Sequence, residues 1–106
     1  MRQYTTPTIT LTVEGIDITG YGVYVTFQQG QTKLTIEDPT MEAVTVQQVT
    51  NTVISVPLSQ LQTASFDYGK ALVQVNWTDG TGSRNATDIG EIGIGINLLD
   101  QVIDNG

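Results

Sequence analysis

The sequence predicts an all-β chain: a single antiparallel Greek-key, immunoglobulin-like β-sandwich of about seven strands with one short helical turn. Three observations predict it. Valine, isoleucine and threonine make up 38 of the 106 residues, and β-branched side chains fit a pleated surface while losing χ1 freedom in a helix. Apolar and polar residues alternate with period two through most of the chain. Turn residues interrupt that alternation at intervals of roughly 8 to 15 residues.

Taken in order, Thr8 to Glu14 places Ile9, Leu11 and Val13 on one face and threonines on the other, and Gly15 ends this first strand. Ile16 to Gly22, with Gly20 and Gly22 around Tyr21, reads as a connecting arch. Val23 to Gln29 aligns Val23, Val25 and Phe27 in a second strand. Gln29-Gly30-Gln31 turns tightly into a third, Thr32 to Glu37, where Leu34 and Ile36 share a side. Asp38-Pro39-Thr40 breaks it, because proline has no N–H for the ladder.

The fourth and fifth strands are expected at about Ala43 to Val49 and Thr52 to Leu58, meeting at Thr50-Asn51. That hairpin sets Val44 and Val46 against Ile54, Val56 and Leu58. Pro57, near the end of its strand, suits an edge. Ser59-Gln60-Leu61-Gln62 has the form of a capping box and predicts one helical turn through about Ala64. Asp67-Tyr68-Gly69 then leads into the most hydrophobic strand. There Ala71, Val73, Val75 and Trp77 share one face and Leu72, Gln74, Asn76 and Thr78 the other, which places the strand centrally. After the Asp79-Gly80-Thr81-Gly82 turn, the last strand is expected from Arg84 to Ile96. Residues 1–106 form one domain, of which 97–106 are a short C-terminal tail. A partly closed barrel shares this strand count and is the rival architecture.

Composition narrows the function. The chain has neither cysteine nor histidine, so thiol nucleophiles, thiolate metal sites, disulfides and imidazole bases are excluded. It carries 4 Lys+Arg against 11 Asp+Glu, a net charge of −7. Arg2, Lys33, Lys70 and Arg84 are scattered along the sequence, whereas phosphate binding needs clustered cations, so nucleic acid and anionic membranes are not expected partners. No stretch has the roughly 20 apolar residues of a spanning helix, and residues 1–7 contain no apolar block of the kind a signal peptide needs. Export by the usual route is not expected.

The chemical motifs favour plain readings. Asp79-Gly80-Thr81-Gly82-Ser83 looks like the Asp-Thr-Gly of an aspartic protease, but Gly80 interrupts the match, and the ligand pattern of a calcium loop is incomplete. A hairpin turn explains it. Ser59, Ser65 and Lys70 lack any nucleophile elbow around them. A non-enzymatic protein with no cofactor, no metal and no small-molecule substrate is expected. Trp77 shares the face of Ala71, Val73 and Val75 and belongs in the core, whereas Tyr24 lies opposite the Val23-Val25-Phe27 face and, with Tyr21, is a candidate sugar or protein contact.

Gly93 and Gly95 alternate with isoleucines at the end of the last strand, a pattern that marks a bulge or close approach by another backbone. Beyond Asn97, Leu98, Leu99, Val102 and Ile103 recur at helical spacing on a segment too short to be stable alone. They dock either on their own sandwich or on a neighbouring subunit. Gly93, Gly95, Leu98, Leu99, Val102, Ile103, Tyr21 and Tyr24 are therefore the candidate interface residues.

Several of these segments together resemble a known group. They are Tyr4-Thr5-Thr6-Pro7-Thr8-Ile9-Thr10-Leu11, Tyr24-Val25-Thr26-Phe27-Gln28-Gln29-Gly30, Leu58-Ser59-Gln60-Leu61-Gln62-Thr63 leading to Phe66 and Gly69, Val73-Gln74-Val75-Asn76-Trp77, Arg84-Asn85-Ala86-Thr87 and Asn97-Leu98-Leu99. Nearly the whole chain thereby resembles small proteins encoded in prophage tail regions of Gram-positive gut bacteria, and more distantly the N-terminal sandwich domain of phage baseplate upper proteins. The resemblance implies a virion structural or assembly role in the tail or baseplate, located in the virion or, during assembly, in the host bacterial cytoplasm. The implied partners are other virion proteins or further copies in a homo-oligomer. It transfers no catalytic residue. An immunoglobulin-like module recognising a cell-surface glycan or protein is the alternative.

Overall fold

A computed structural model describes residues 1–99, 101 and 103. Eight strands and one helix follow in the order β1 (Thr8–Val13), β2 (Gly22–Gln29), β3 (Thr32–Glu37), β4 (Thr40–Val46), β5 (Val49–Pro57), α1 (Gln60–Ala64), β6 (Gly69–Thr78), β7 (Arg84–Ala86) and β8 (Gly90–Ile94). They form two antiparallel sheets, β1-β5-β4 and β3-β2-β6, with β7 and β8 both pairing on the far side of β6. The chain changes sheet from β1 to β2, from β3 to β4 and from β5 to β6, and each hairpin stays within one sheet. That is the Greek-key order of an immunoglobulin-like sandwich. No described strand pair joins the two sheets, so the architecture is a sandwich rather than a barrel.

One core lies between the sheets. Ile54 and Val56 of β5 meet Val23, Val25 and Phe27 of β2 and Ala71, Val75 and Trp77 of β6, with Ile18, Leu58, Phe66 and Ile94 closing its ends. Phe27 and Phe66 pack edge to face, their ring centroids 6.5 Å apart. Each wholly buried valine, isoleucine or phenylalanine among them contributes about 1.5–3 kcal/mol through the apolar surface it hides. Two threonines are buried with them and are fully bonded. Thr52 accepts from the Ile18 N–H at 3.0 Å and donates to the Ile16 carbonyl at 2.8 Å, and Thr63 exchanges the same pair of bonds with Thr5 at 3.1 and 2.9 Å. The first pair holds the β1–β2 arch so that Ile18 drops into the core.

The third strand, the central place of β6 and the capping box stand as expected. Ser59 Oγ accepts from the Gln62 N–H, and the Gln62 side chain accepts from the Ser59 N–H.

Two expectations are corrected. The fourth and fifth strands do not meet at Thr50-Asn51: β4 and β5 turn at Gln47-Gln48, with Val46 opposite Val49 and Thr45 opposite Thr50. Val44 and Val46 consequently lie opposite Asn51 and Val49 and not against Ile54, Val56 and Leu58. Both glutamines take positive φ, 53° and 69°, the geometry of the mirror-image turn that matches strand twist and is usually marked by Asn-Gly. Asn51 serves elsewhere, its side chain accepting from the Gly15 N–H at 2.8 Å.

The expected last strand is also two strands. Val73 faces Gly90 and Asn76 faces Ala86, so Gln74 and Val75 oppose three residues, Thr87, Asp88 and Ile89. The extra residue is a β-bulge. Thr87 bridges it: its N–H donates to the Val75 carbonyl at 2.9 Å and its hydroxyl accepts from the Val75 N–H at 3.1 Å, replacing the missing ladder acceptor.

Candidate interaction surfaces

The two chain ends meet at one end of the sandwich. Arg2 pairs in parallel with Gly95. The Met1 amino group donates to the Gly93 carbonyl at 2.8 Å, the Gly95 N–H to the Met1 carbonyl at 2.6 Å and the Gln3 N–H to the Gly95 carbonyl at 3.0 Å. Side chains lock the join: Arg2 bonds the Ile96 carbonyl, Asn97 the Gln3 carbonyl and Gln3 the Phe66 carbonyl, at 2.8, 3.2 and 2.6 Å.

This explains one of the two candidate glycines. A Cβ on Gly95 would stand 3.3 Å from Arg2 Cγ, so the backbone that approaches it is the chain's own N-terminal segment; a Cβ on Gly93 would meet nothing within 4 Å.

Leu98 and Leu99, the first of the helically spaced apolar residues, lie in a bend, and the Leu99 N–H donates to Asn97 Oδ1 at 3.1 Å. That local bond from asparagine turns the backbone at this point. Val102 lies outside the described residues. Ile103 exchanges two bonds with the Gln60 side chain, at 2.7 and 2.9 Å, which draws this segment against α1. Leu98 is 98% exposed, and Leu99, Ile103 and Leu61 of α1 are also exposed.

The outer face of the larger sheet carries a second feature. A shallow groove of about 360 Å³ is lined by Tyr24 and Thr26 of β2, Lys33 and Thr35 of β3, Asn76 and Thr78 of β6, and Arg84 of β7. Alternation along β2 puts Tyr24 outward, 38% exposed, as expected, while Trp77 is buried. Tyr21, equally exposed, sits in the preceding arch. The Arg84 guanidinium is oriented by Asn76 Oδ1 at 3.2 and 3.3 Å, and the Thr26 and Thr35 hydroxyls lie 3.2 Å apart.

Thus two of the four cations scattered in sequence line one groove. Residue spacing alone did not show this. The β2–β3 register brings Lys33 opposite Gln28, and the β6–β7 register brings Arg84 opposite Thr78, all on one face.

The Asp79 loop is a turn. Asp79 Oδ1 accepts from both the N–H and the hydroxyl of Thr81, at 2.9 and 2.6 Å. Those bonds hold its carboxyl below the ordinary value of 3.8, first through the hydroxyl and then through the N–H. Asp17 repeats the motif with Thr19. Among the described residues, no three acidic side chains converge on a point where a metal could sit.

Compared with family models, with curated proteins and with solved structures, the chain matches none.

Proposed function

We propose that this protein is a non-enzymatic structural or assembly component that works through protein–protein contacts, in a phage or prophage tail or baseplate, placed in the virion or in the host cytoplasm during assembly. The observation that carries the contact role is the end of the sandwich where the termini meet. Leu98, Leu99, Ile103 and Leu61 stand exposed there, Ile103 tied to α1 by the reciprocal bonds with Gln60 and the Leu99 N–H held by Asn97 Oδ1. Exposed apolar side chains gathered on one part of a small domain are what a partner covers. The tail and baseplate setting rests on the sequence resemblance. Co-purification of the tagged chain with tail proteins from phage-producing cells tests it, and removal of residues 98–106 should abolish that capture. Capture undiminished by the truncation, or none from the intact chain, would overturn this reading.

A second reading is favoured by the groove around Tyr24. An aromatic ring beside Lys33, Arg84 and threonine hydroxyls suits an acidic sugar, which stacks on the ring and pairs its carboxylate with the cations. Binding on a glycan array that Arg84→Ala removes would support it.

A further inference from the structure

Among the described residues, one strand edge of the sandwich carries no guard within the strand itself. Edge strands expose unpaired N–H and C=O groups, and proteins guard them with charges, prolines, bulges or a covering segment. β3 carries Lys33 and Glu37, and β4 carries Glu42. The β7–β8 edge is broken by the Thr87–Ile89 bulge, bears Arg84 and Glu91, and is capped at Gly95 by Arg2. β1 has none of these. Its sequence, Thr-Ile-Thr-Leu-Thr-Val, is uncharged, unbroken and regularly paired with β5 on one side, with no described strand on the other.

The flank beside it is correspondingly open. Ile9 and Leu11 point towards the core yet remain half-buried, whereas Ile54 and Val56, their neighbours on β5, are wholly buried. A slot of about 190 Å³ runs between Leu11, Thr12 and Val13 on one side and Val73, Val75 and the bulge residues Thr87 and Asp88 with Gly90 on the other. In immunoglobulin-type sandwiches another strand lies at this flank.

We propose that the β1 edge pairs with the β1 edge of a second copy, antiparallel about a two-fold axis, giving a continuous six-stranded sheet across two protomers. This rests on the assembly reading above and names its surface. Two well-overlapped registers keep threonines with threonines, one centred on Thr10 and one on Leu11. On the inner face the second pairs Leu11 with itself and Ile9 with Val13, while the first pairs Ile9 with Leu11 and sets Val13 opposite Pro7.

Charge permits the same occupant along the strand itself. The chain carries −7, so two copies repel over most of their surface, but no carboxylate of β1 or its flanks is set directly opposite another. Glu14 falls opposite Thr6 or Thr8, and Asp88 lies across the slot beside the strand and not in its ladder. Directly opposed threonines also occur within the fold, Thr26 with Thr35 at 3.2 Å and Thr45 with Thr50 at 3.0 Å. The contact is small beside the ~800 Å² per partner of a standard interface, so association is weak in solution and gains strength where many copies are held together.

The absence of cysteine makes the test clean. Thr10→Cys chains, alone for the first register and mixed with Thr12→Cys chains for the second, should form an interchain disulfide under mild oxidation. Opposed Cα atoms of paired strands lie within disulfide reach. Thr40→Cys, on the exposed outer edge of β4, measures random collision. Cross-linking through β1 about tenfold faster than the Thr40→Cys control, with light scattering showing wild-type dimer at concentrations up to about 1 mM, supports the pairing. Thr10→Lys with Thr12→Lys sets like charges opposite in either register while lowering the net charge, and should lose the dimer with its melting curve retained. Lowered repulsion alone would strengthen association. Cross-linking no faster than the control overturns the pairing. If the wild type still associates or still captures tail proteins, the assembly reading survives that failure; if it does neither, both fall.

Discussion

The two sheets bury their strands to different depths. In the larger sheet β2 and β6 lie side by side with further strands beyond each, and Val23, Val25, Phe27, Ala71 and Val75 are all but inaccessible. In the smaller sheet only β5 has neighbours on both sides, and its Ile54 and Val56 are as deeply buried; on β1 Val13 reaches the core but Ile9 and Leu11 stay half-covered. A strand's inner face is covered by its flanking strands as much as by the opposite sheet. The larger sheet is therefore a finished wall and the smaller one has an open flank.

Core truncation should show this contrast most strongly. Phe27→Ala removes a wholly buried ring and its edge-to-face contact with Phe66, and should cost about 3–5 kcal/mol in denaturant unfolding. Leu11→Ala, on half-covered β1, should cost about 1–2 kcal/mol in dilute solution. Equal losses would mean that β1 is as enclosed as β2.

The next contrast is between two threonines that replace backbone partners. Thr52 sits in β5 and bonds Ile18 and Ile16, while Thr87 spans the bulge and serves Val75. Thr52→Val leaves a fully buried N–H and a carbonyl unpaired and should cost about 2–3 kcal/mol. Thr87→Val, half-buried at the sheet margin, should cost about 1 kcal/mol, with faster amide exchange confined to Val75 and its neighbours. A larger loss at Thr87 would show the bulge to be more enclosed than the arch.

The same contrast explains what could be read from the residues. Where a turn has its usual punctuation, as at Gly30, the strand ends that flank it were legible to the residue. Gln47-Gln48 has none. Two glutamines in the left-handed region look like strand continuation, and Asn51, the expected turn residue, is in fact a cap for Gly15. The bulge escaped for a similar reason: Thr87, Asp88 and Ile89 are compatible with an unbroken strand, and only the two registers along β6 expose the extra residue. Tyr24 could be placed outward from alternation alone. Its neighbours Lys33 and Arg84 could not, because they come from strands paired on opposite sides of the β2–β6 pair.

The two turns accordingly predict opposite responses. Gly30 has φ 59°, a conformation costly for residues with a Cβ, so Gly30→Ala should destabilise by about 1 kcal/mol. Replacing Gln47-Gln48 by Asn-Gly relieves the same strain and should stabilise by about 1 kcal/mol, seen as a higher denaturant midpoint at unchanged slope. A loss on introducing Asn-Gly would mean that the glutamines make contacts outweighing their backbone cost.

The smallest effect separates the two Asp-x-Thr turns. Both Asp17 and Asp79 have carboxyls held below 3.8, chiefly by the threonine hydroxyl and then by its N–H. A carboxylate whose pKa is lower folded than unfolded stabilises the fold above the unfolded value, and that contribution fades as pH falls through the lower folded value. Both turns should therefore weaken only below about pH 4, with the loss continuing through their depressed pKa values. What each turn holds differs. Between Asp17 and Thr19 lies Ile18, wholly buried and bonded to Thr52, whereas between Asp79 and Thr81 lies exposed Gly80. Thr19→Val and Thr81→Val should raise their aspartate pKa values alike in an NMR titration, yet only Thr19→Val should lower the unfolding midpoint measurably at neutral pH. If both variants lowered it equally, the turn at Asp17 would be acting as a surface loop closure and not as the clamp that seats Ile18.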